Sequence, residues 1–138
     1  MFRLRRNATQ PYFMENISYD DFKKLDMRIG TIRYVEIVPD SDKLLRCLVD
    51  FGSDIATMIH TGTEGREYHV RQIVSGIREY ISDIELLVGK QVLYVVNLEP
   101  RIIKGVESQG MLMALSDENN PLVFLIPDKE VVSGSKIH

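Results

Sequence analysis

The residues best equipped for chemistry lie together in one stretch, residues 97–113, which reads N-L-E-P-R-I-I-K-G-V-E-S-Q-G-M-L-M. Arg101 and Lys104 offer cationic donors, while Asn97, Ser108 and Gln109 offer neutral hydrogen-bonding groups. No His, no Cys and no carboxylate pair accompanies them, so neither a nucleophile–base arrangement nor a metal-ligand set is legible. The stretch reads as a binding surface rather than an active site. Pro100 fixes φ and removes a backbone donor, which ends the strand before it. Gly105 and Gly110 let a partner approach the chain closely. Apolar runs flank the stretch on both sides, residues 92–96 and 111–115, each with the length and content of a buried strand.

The elements that must carry this surface come from a chain of 138 residues, the size of one domain. A chain this long buries a core without staples. The single cysteine, Cys47, sits in an apolar strand run, so a buried free thiol is expected and no internal disulfide is available. No apolar stretch follows the basic start and no run reaches membrane-spanning length, so neither a secretory signal nor a membrane partner is expected and a cytoplasmic setting fits. The net charge is −3, with 17 Lys and Arg against 20 Asp and Glu. A generic basic nucleic-acid binder is excluded, and any anion binding must be local and salt-sensitive.

Residues 1–16 read as an irregular N-terminal arm or tail bearing Arg3, Arg5 and Arg6, with Met14 an alternative start, and residues 17–138 as one domain. Ser18 opens a short helix ending near Asp26, with Asp21 completing a variant capping box. Residues 27–38 form a long strand whose alternation slips partway: Ile32 and Tyr34 share one face, Val35 and Ile37 the other. Such a slip implies a bulge, as when one strand serves both sides of a small barrel. Residues 39–43 are a tight turn. Leu45, Cys47, Val49 and Phe51 alternate with Arg46, Leu48 and Asp50 in a second strand. A polar excursion, residues 53–68, precedes a third strand within residues 70–81. Ser82 caps a further short helix, with Glu85 completing its box and Gly89 stopping it. Two more strands flank the binding stretch, and brief extra elements follow toward the end.

Five strands with a helix between the third and fourth is the order of the all-β OB-fold barrel, which binds through its second and third strands and the loops after strands one and four. The turn at 39–43 and the loop at 99–109 fall at those two loop positions.

Five blocks then resemble one family: D-F-K-K-L-D-M-R-I-G-T-I (21–32), P-D-S-D-K-L (39–44), R-Q-I-V-S-G-I (71–77), L-V-G-K-Q-V (87–92) and N-L-E-P-R-I-I-K-G-V-E-S-Q-G-M (97–111). Together they are similar to the stand-alone tRNA-binding domain, a module also found at the C-terminus of methionyl-tRNA synthetases, in the endothelial monocyte-activating polypeptide and as the export chaperone CsaA. The resemblance implies a non-catalytic, cofactor-free, homodimeric OB-fold that recognises tRNA by shape and backbone with little sequence preference, beside methionyl-tRNA synthetase. Carried across by residue, it implies an RNA-binding surface of Lys43, Asn97, Arg101, Lys104, Ser108 and Gln109. The cations would meet phosphates and the others sugar or phosphate oxygens, with Met111 packing under the loop. The absence of Trp fits recognition without base stacking, for which only Tyr34, Phe51 and Tyr80 are suited.

Two features depart from the family pattern. Glu99 stands where Lys is usual, which removes a phosphate contact and adds a repulsion. Residues 53–68 exceed the usual turn and contain His60; with His69 just beyond, an elongated hairpin or dimer arm is expected rather than a metal site. The same resemblance equally implies a CsaA-like chaperone holding unfolded peptide in an apolar groove, or a dimerisation domain without RNA binding. Asn97 is equally suited to tying its strand end to the backbone. Arg28 beside Asp26 is expected to be a structural pair.

Overall fold

A computed structural model describes residues 14–138, so the Arg3, Arg5 and Arg6 cluster lies outside the described residues. The short helix α1 (Tyr19–Lys23) starts where Ser18 caps it, with the Asp21 amide donating to Ser18 Oγ at 3.0 Å. The capping box is half formed. The Asp21 carboxylate takes Lys24 Nζ at 2.9 Å rather than turning back to the cap, and the helix ends at Lys23, short of Asp26.

Strand β1 (Met27–Ile37) carries the anticipated irregularity. Ile32 faces Val49 and Tyr34 faces Leu48, so Arg33 is an extra residue. The bulge turns both Ile32 and Val35 inward. The strand's first half pairs with β5 (Gln91–Val95) and its second half with β2 (Leu45–Asp50). Gly30 belongs at this crossing, where a Cβ would lie 2.5 Å from the Phe51 and Val49 side chains. Leu45, Cys47 and Val49 of β2, and Phe51 just beyond it, are buried in the core, where the Phe51 ring meets Tyr94 edge-on at 5.3 Å.

The all-β class holds, but the hydrogen-bonded ladders are not those of five strands closed in a ring. The excursion supplies a hairpin of β3 (Met58–Thr61) and β4 (Glu67–Ser75). Together with β8 (Met111–Leu112) these strands make one open six-stranded sheet, ordered β3-β4-β2-β1-β5-β8. The binding stretch forms its own ribbon, β6 (Arg101–Ile103) with β7 (Val106–Ser108), and β9 (Ala114–Leu115) pairs with β10 (Val123–Phe124). His60 pairs with Tyr68 and His69 with Ile59, so the pleat sends the two histidines to opposite faces.

Other boundaries also differ from expectation. The third expected strand stops at Ser75 and gives way to a 3₁₀ turn, Arg78–Tyr80. A second 3₁₀ turn, Ile84–Leu87, stands in place of the expected helix. It is capped by Asp83, whose Oδ1 accepts from the Glu85 amide at 3.1 Å, not by Ser82. The chain's last residues run beside the first half of β1: the amides of Gly134 and Ile137 donate to Ile29 O and Met27 O, and Ile29 N returns a bond to Ser135 O.

Candidate functional site

The ribbon's tip is a two-residue turn. Ile103 faces Val106, and between them Lys104 (φ 52°) and Gly105 (φ 79°) both adopt left-handed backbone, the signature of a type I′ hairpin. Glycine adopts that conformation freely and asparagine tolerates it, whereas lysine does so at a cost. Lys104 is thereby held exposed at the tip, with Arg101 exposed on β6 beside it.

The polar residues around the ribbon are committed to the protein itself. Ser108 is buried; its Oγ accepts from the Val74 amide at 3.0 Å and donates to Gly110 O at 3.1 Å. Gln109 Oε1 accepts from the Gln72 amide and from Thr57 Oγ1, while its own amide donates to Gln72 O at 2.8 Å. These bonds cover the edge of β4 beyond the point where β3 ends, so no amide there is left bare. Asn97 staples the end of α1 to the end of β5, accepting from the Asp26 amide at 2.8 Å and donating to Lys24 O at 2.5 Å. Met111 does not pack beneath the loop as expected. It sits on the short edge strand β8 and is 46% exposed.

Arg71, which the sequence reading passed over, holds three segments together. Its guanidinium donates to the carbonyls of Ile55, Val96 and Gln109 at 2.6, 2.9 and 3.2 Å. Burial, and then the nearby Arg28, pull its pKa below the ordinary arginine value. An arginine in phase with the inward-facing Ile73 was the available signal. Arg28, only 6% exposed at its side chain, forms the expected pair with Asp26 at 2.9 Å and adds Asp54 at 2.9 Å. The hydrogen bond from Arg28 holds the Asp26 carboxyl below its ordinary value.

Of the fourteen Lys and Arg among the described residues, four are held in ion pairs. Arg28, Arg33, Arg46 and Lys24 are neutralised by carboxylates. Lys43, Arg101 and Lys104 take part in none of the five ion pairs among the described residues. Lys43 sits on the turn after β1, where Ser41 Oγ accepts from the amides of Lys43 and Leu44. Arg78, also unanticipated, buttresses that turn: its amide donates to Lys43 O at 3.0 Å and its guanidinium to Ser41 O. Beside the ribbon lies a cleft of about 340 Å³, whose lining includes Tyr80, Leu98, Glu99, Arg101 and Met111. Of the three aromatic candidates, Phe51 is in the core, and Tyr34 lies against His60 with its hydroxyl on Glu36.

The family model described as "Putative tRNA binding domain" matches residues 27–136. The chain belongs to this tRNA-binding domain family. Methionine–tRNA ligases of Porphyromonas gingivalis and Pyrococcus horikoshii are each 42% identical to it, over 89% and 90% of this chain. The matched segments are 16% and 15% of those ligases, so the tRNA-binding-domain chain spans about a sixth of their length. Among solved structures, a MetRS-related protein from Pyrococcus horikoshii superposes with a TM-score of 0.72 at 34% identity, covering 91% of this chain and 100% of that one. The chaperone CsaA from Bacillus anthracis superposes with a TM-score of 0.68 at 28% identity, covering 90% and 100%.

Proposed function

We propose that this protein is a non-catalytic module that holds tRNA through its backbone and shape, with Lys43, Arg101 and Lys104 as the phosphate contacts. The observation that carries the reading is that Lys43 and Lys104, on the two protruding turns, and Arg101, on β6 beside Lys104, are exposed and take part in no ion pair among the described residues, whereas Arg28, Arg33 and Arg46 on the sheet are held by carboxylates. Lys104 adds weight, because a lysine at a left-handed tip spends stability to place a charge outward. Asn97, Ser108 and Gln109 act at one remove, fixing the ribbon against the sheet. The architecture is an OB-type barrel whose seam between β4 and the ribbon is closed by bonds from Ser108 and Gln109 instead of a continuous strand ladder. The kinship to methionine–tRNA ligases supports a cytoplasmic role beside such an enzyme. Exposed Ile126, Val132 and Ile137 near the C-terminal end support pairing with a second copy.

A second reading is a CsaA-like chaperone, supported by the superposition on that protein and by the largely apolar cleft. Titration with bulk tRNA at about 50 and 200 mM salt decides between them. Under the tRNA reading, binding falls steeply with salt and Lys104→Glu loses most of it. Absence of binding even at the lower salt refutes that reading and directs attention to unfolded peptide.

A further inference from the structure

Glu99 is a carboxylate two residues before Arg101, and phosphate binding gives it no work. The structure places it on the wall of the cleft, with Arg101 beside it and Tyr80, Leu98 and Met111 presenting apolar surface. Those three are 46%, 43% and 46% exposed. Neither Glu99 nor Arg101 belongs to an ion pair among the described residues. The cleft's size is at the low end of the range for small-ligand pockets, about 300–1,000 Å³.

The three kinds of group make different demands on an occupant. Apolar walls with one aromatic ring suit a flat, weakly hydrated body. A carboxylate in the wall needs a donor edge, such as an exocyclic amine. A guanidinium at the mouth needs an anion attached to that body. An apolar peptide side chain satisfies only the first demand. A basic peptide satisfies the second and is repelled by Arg101. A nucleotide bearing an amino group satisfies all three.

We infer that this cleft takes one unstacked, amino-bearing base of the bound RNA. Glu99 accepts from the base's amino edge, Tyr80 supplies a stacking face, and Arg101 neutralises the adjoining phosphate. This inference rests on the tRNA-binding reading and adds to it a base-reading pocket. It also gives Glu99 a role that a lysine at the same position would not serve.

The test compares oligocytidine and oligouridine of equal length with bulk tRNA, by fluorescence anisotropy at one fixed low salt. Variants Glu99→Lys and Tyr80→Leu change exposed side chains, so both keep the fold. Wild-type protein is expected to prefer oligocytidine by roughly fivefold or more, the lower end of what one good base-edge pairing confers. Glu99→Lys tightens binding of every RNA by its added charge but brings the cytidine preference to about one. Tyr80→Leu weakens both oligomers by roughly fivefold or more. Equal binding of the two oligomers by wild-type protein, or a preference that survives Glu99→Lys, overturns the pocket while leaving tRNA binding intact. Failure to bind any RNA overturns both; unfolded-peptide binding abolished by Tyr80→Leu would then assign the cleft to peptide.

Discussion

Replacing Lys104 by Asn sets stability against function at a single side chain. Lys104 occupies a left-handed position at the tip of a two-residue hairpin, next to Gly105. Asn-Gly is the preferred pair for that turn. A non-glycine residue without a short polar side chain pays about 1–2 kcal/mol for left-handed backbone, so Lys104→Asn is expected to stabilise the fold by about 1 kcal/mol. For a chain of 138 residues, unfolding entropy scales to roughly 290 cal/mol/K, which makes this a rise of about 3 °C in melting temperature. Binding moves the other way. Three phosphate contacts give a salt slope of about −2.4, and a fourfold rise in salt then weakens tRNA binding about thirtyfold. With one contact removed the slope becomes about −1.6, the same rise costs about ninefold, and affinity at 0.1 M salt falls about sixfold. Differential scanning fluorimetry and tRNA titration at two salts measure both quantities on one preparation. A stabilised variant whose affinity and slope match wild type would remove Lys104 from the interface, and a destabilised one would refute the turn argument.

Further outcomes follow from the same geometry. Ser108→Ala strands the buried Val74 amide and is expected to cost about 1–3 kcal/mol, a drop of roughly 3–10 °C; unchanged stability with lost tRNA binding would instead make Ser108 a direct contact. Gly134→Ala would put a methyl 2.0 Å from Phe51 O at a φ of +91°, so a loss of about 3 kcal/mol is expected in chemical denaturation, and a neutral result would contradict the seating of the C-terminal segment on β1. Because Arg28 lowers the Asp26 pKa, the pair's stabilisation is complete above the ordinary carboxylate value of 3.8 and fades as pH falls through the lower folded value. Asp26→Asn should therefore cost roughly 2–3 kcal/mol at neutral pH, less than a wholly buried pair because Asp54 remains, and the cost should shrink in melts below about pH 4. Burial pushes the Cys47 thiol up to about 12, so iodoacetamide at neutral pH should label it only on unfolding, and rapid native labelling would place it at the surface.

Local signals carried much of this architecture. The broken alternation between Ile32 and Val35 announced the bulge, because a half-buried strand tolerates no unmarked change of phase. Ser18 declared its helix start, and Asp26 next to Arg28 declared a pair two residues apart. What escaped depends on partners distant along the chain. Ser108 and Gln109 look like free hydrogen-bonding groups until Val74 and Gln72, more than thirty residues earlier, arrive to use them. An elongated hairpin was expected from residues 53–68 and β3 with β4 forms one, but the bounds of β3 were not legible because Met58 to Thr61 pairs on one edge only and shows no apolar alternation. At residues 82–84 two adjacent cap formers competed, and the short 3₁₀ turn selected Asp83. Cations are plain in any sequence, but which of them are neutralised is a property of the fold.

The ribbon does more than present charge. It is laid along β4 by Ser108 and Gln109, and if it lifts, the amides of Gln72 and Val74 lose their acceptors together. A sheet edge bare at those positions is a template for a foreign strand. Anything that clamps the ribbon down from outside therefore also shields the protein from edge-to-edge aggregation. The ligand-free protein is the one at risk in storage, and slowed hydrogen exchange at Gln72 and Val74 would report ligand binding from the far side of the ribbon.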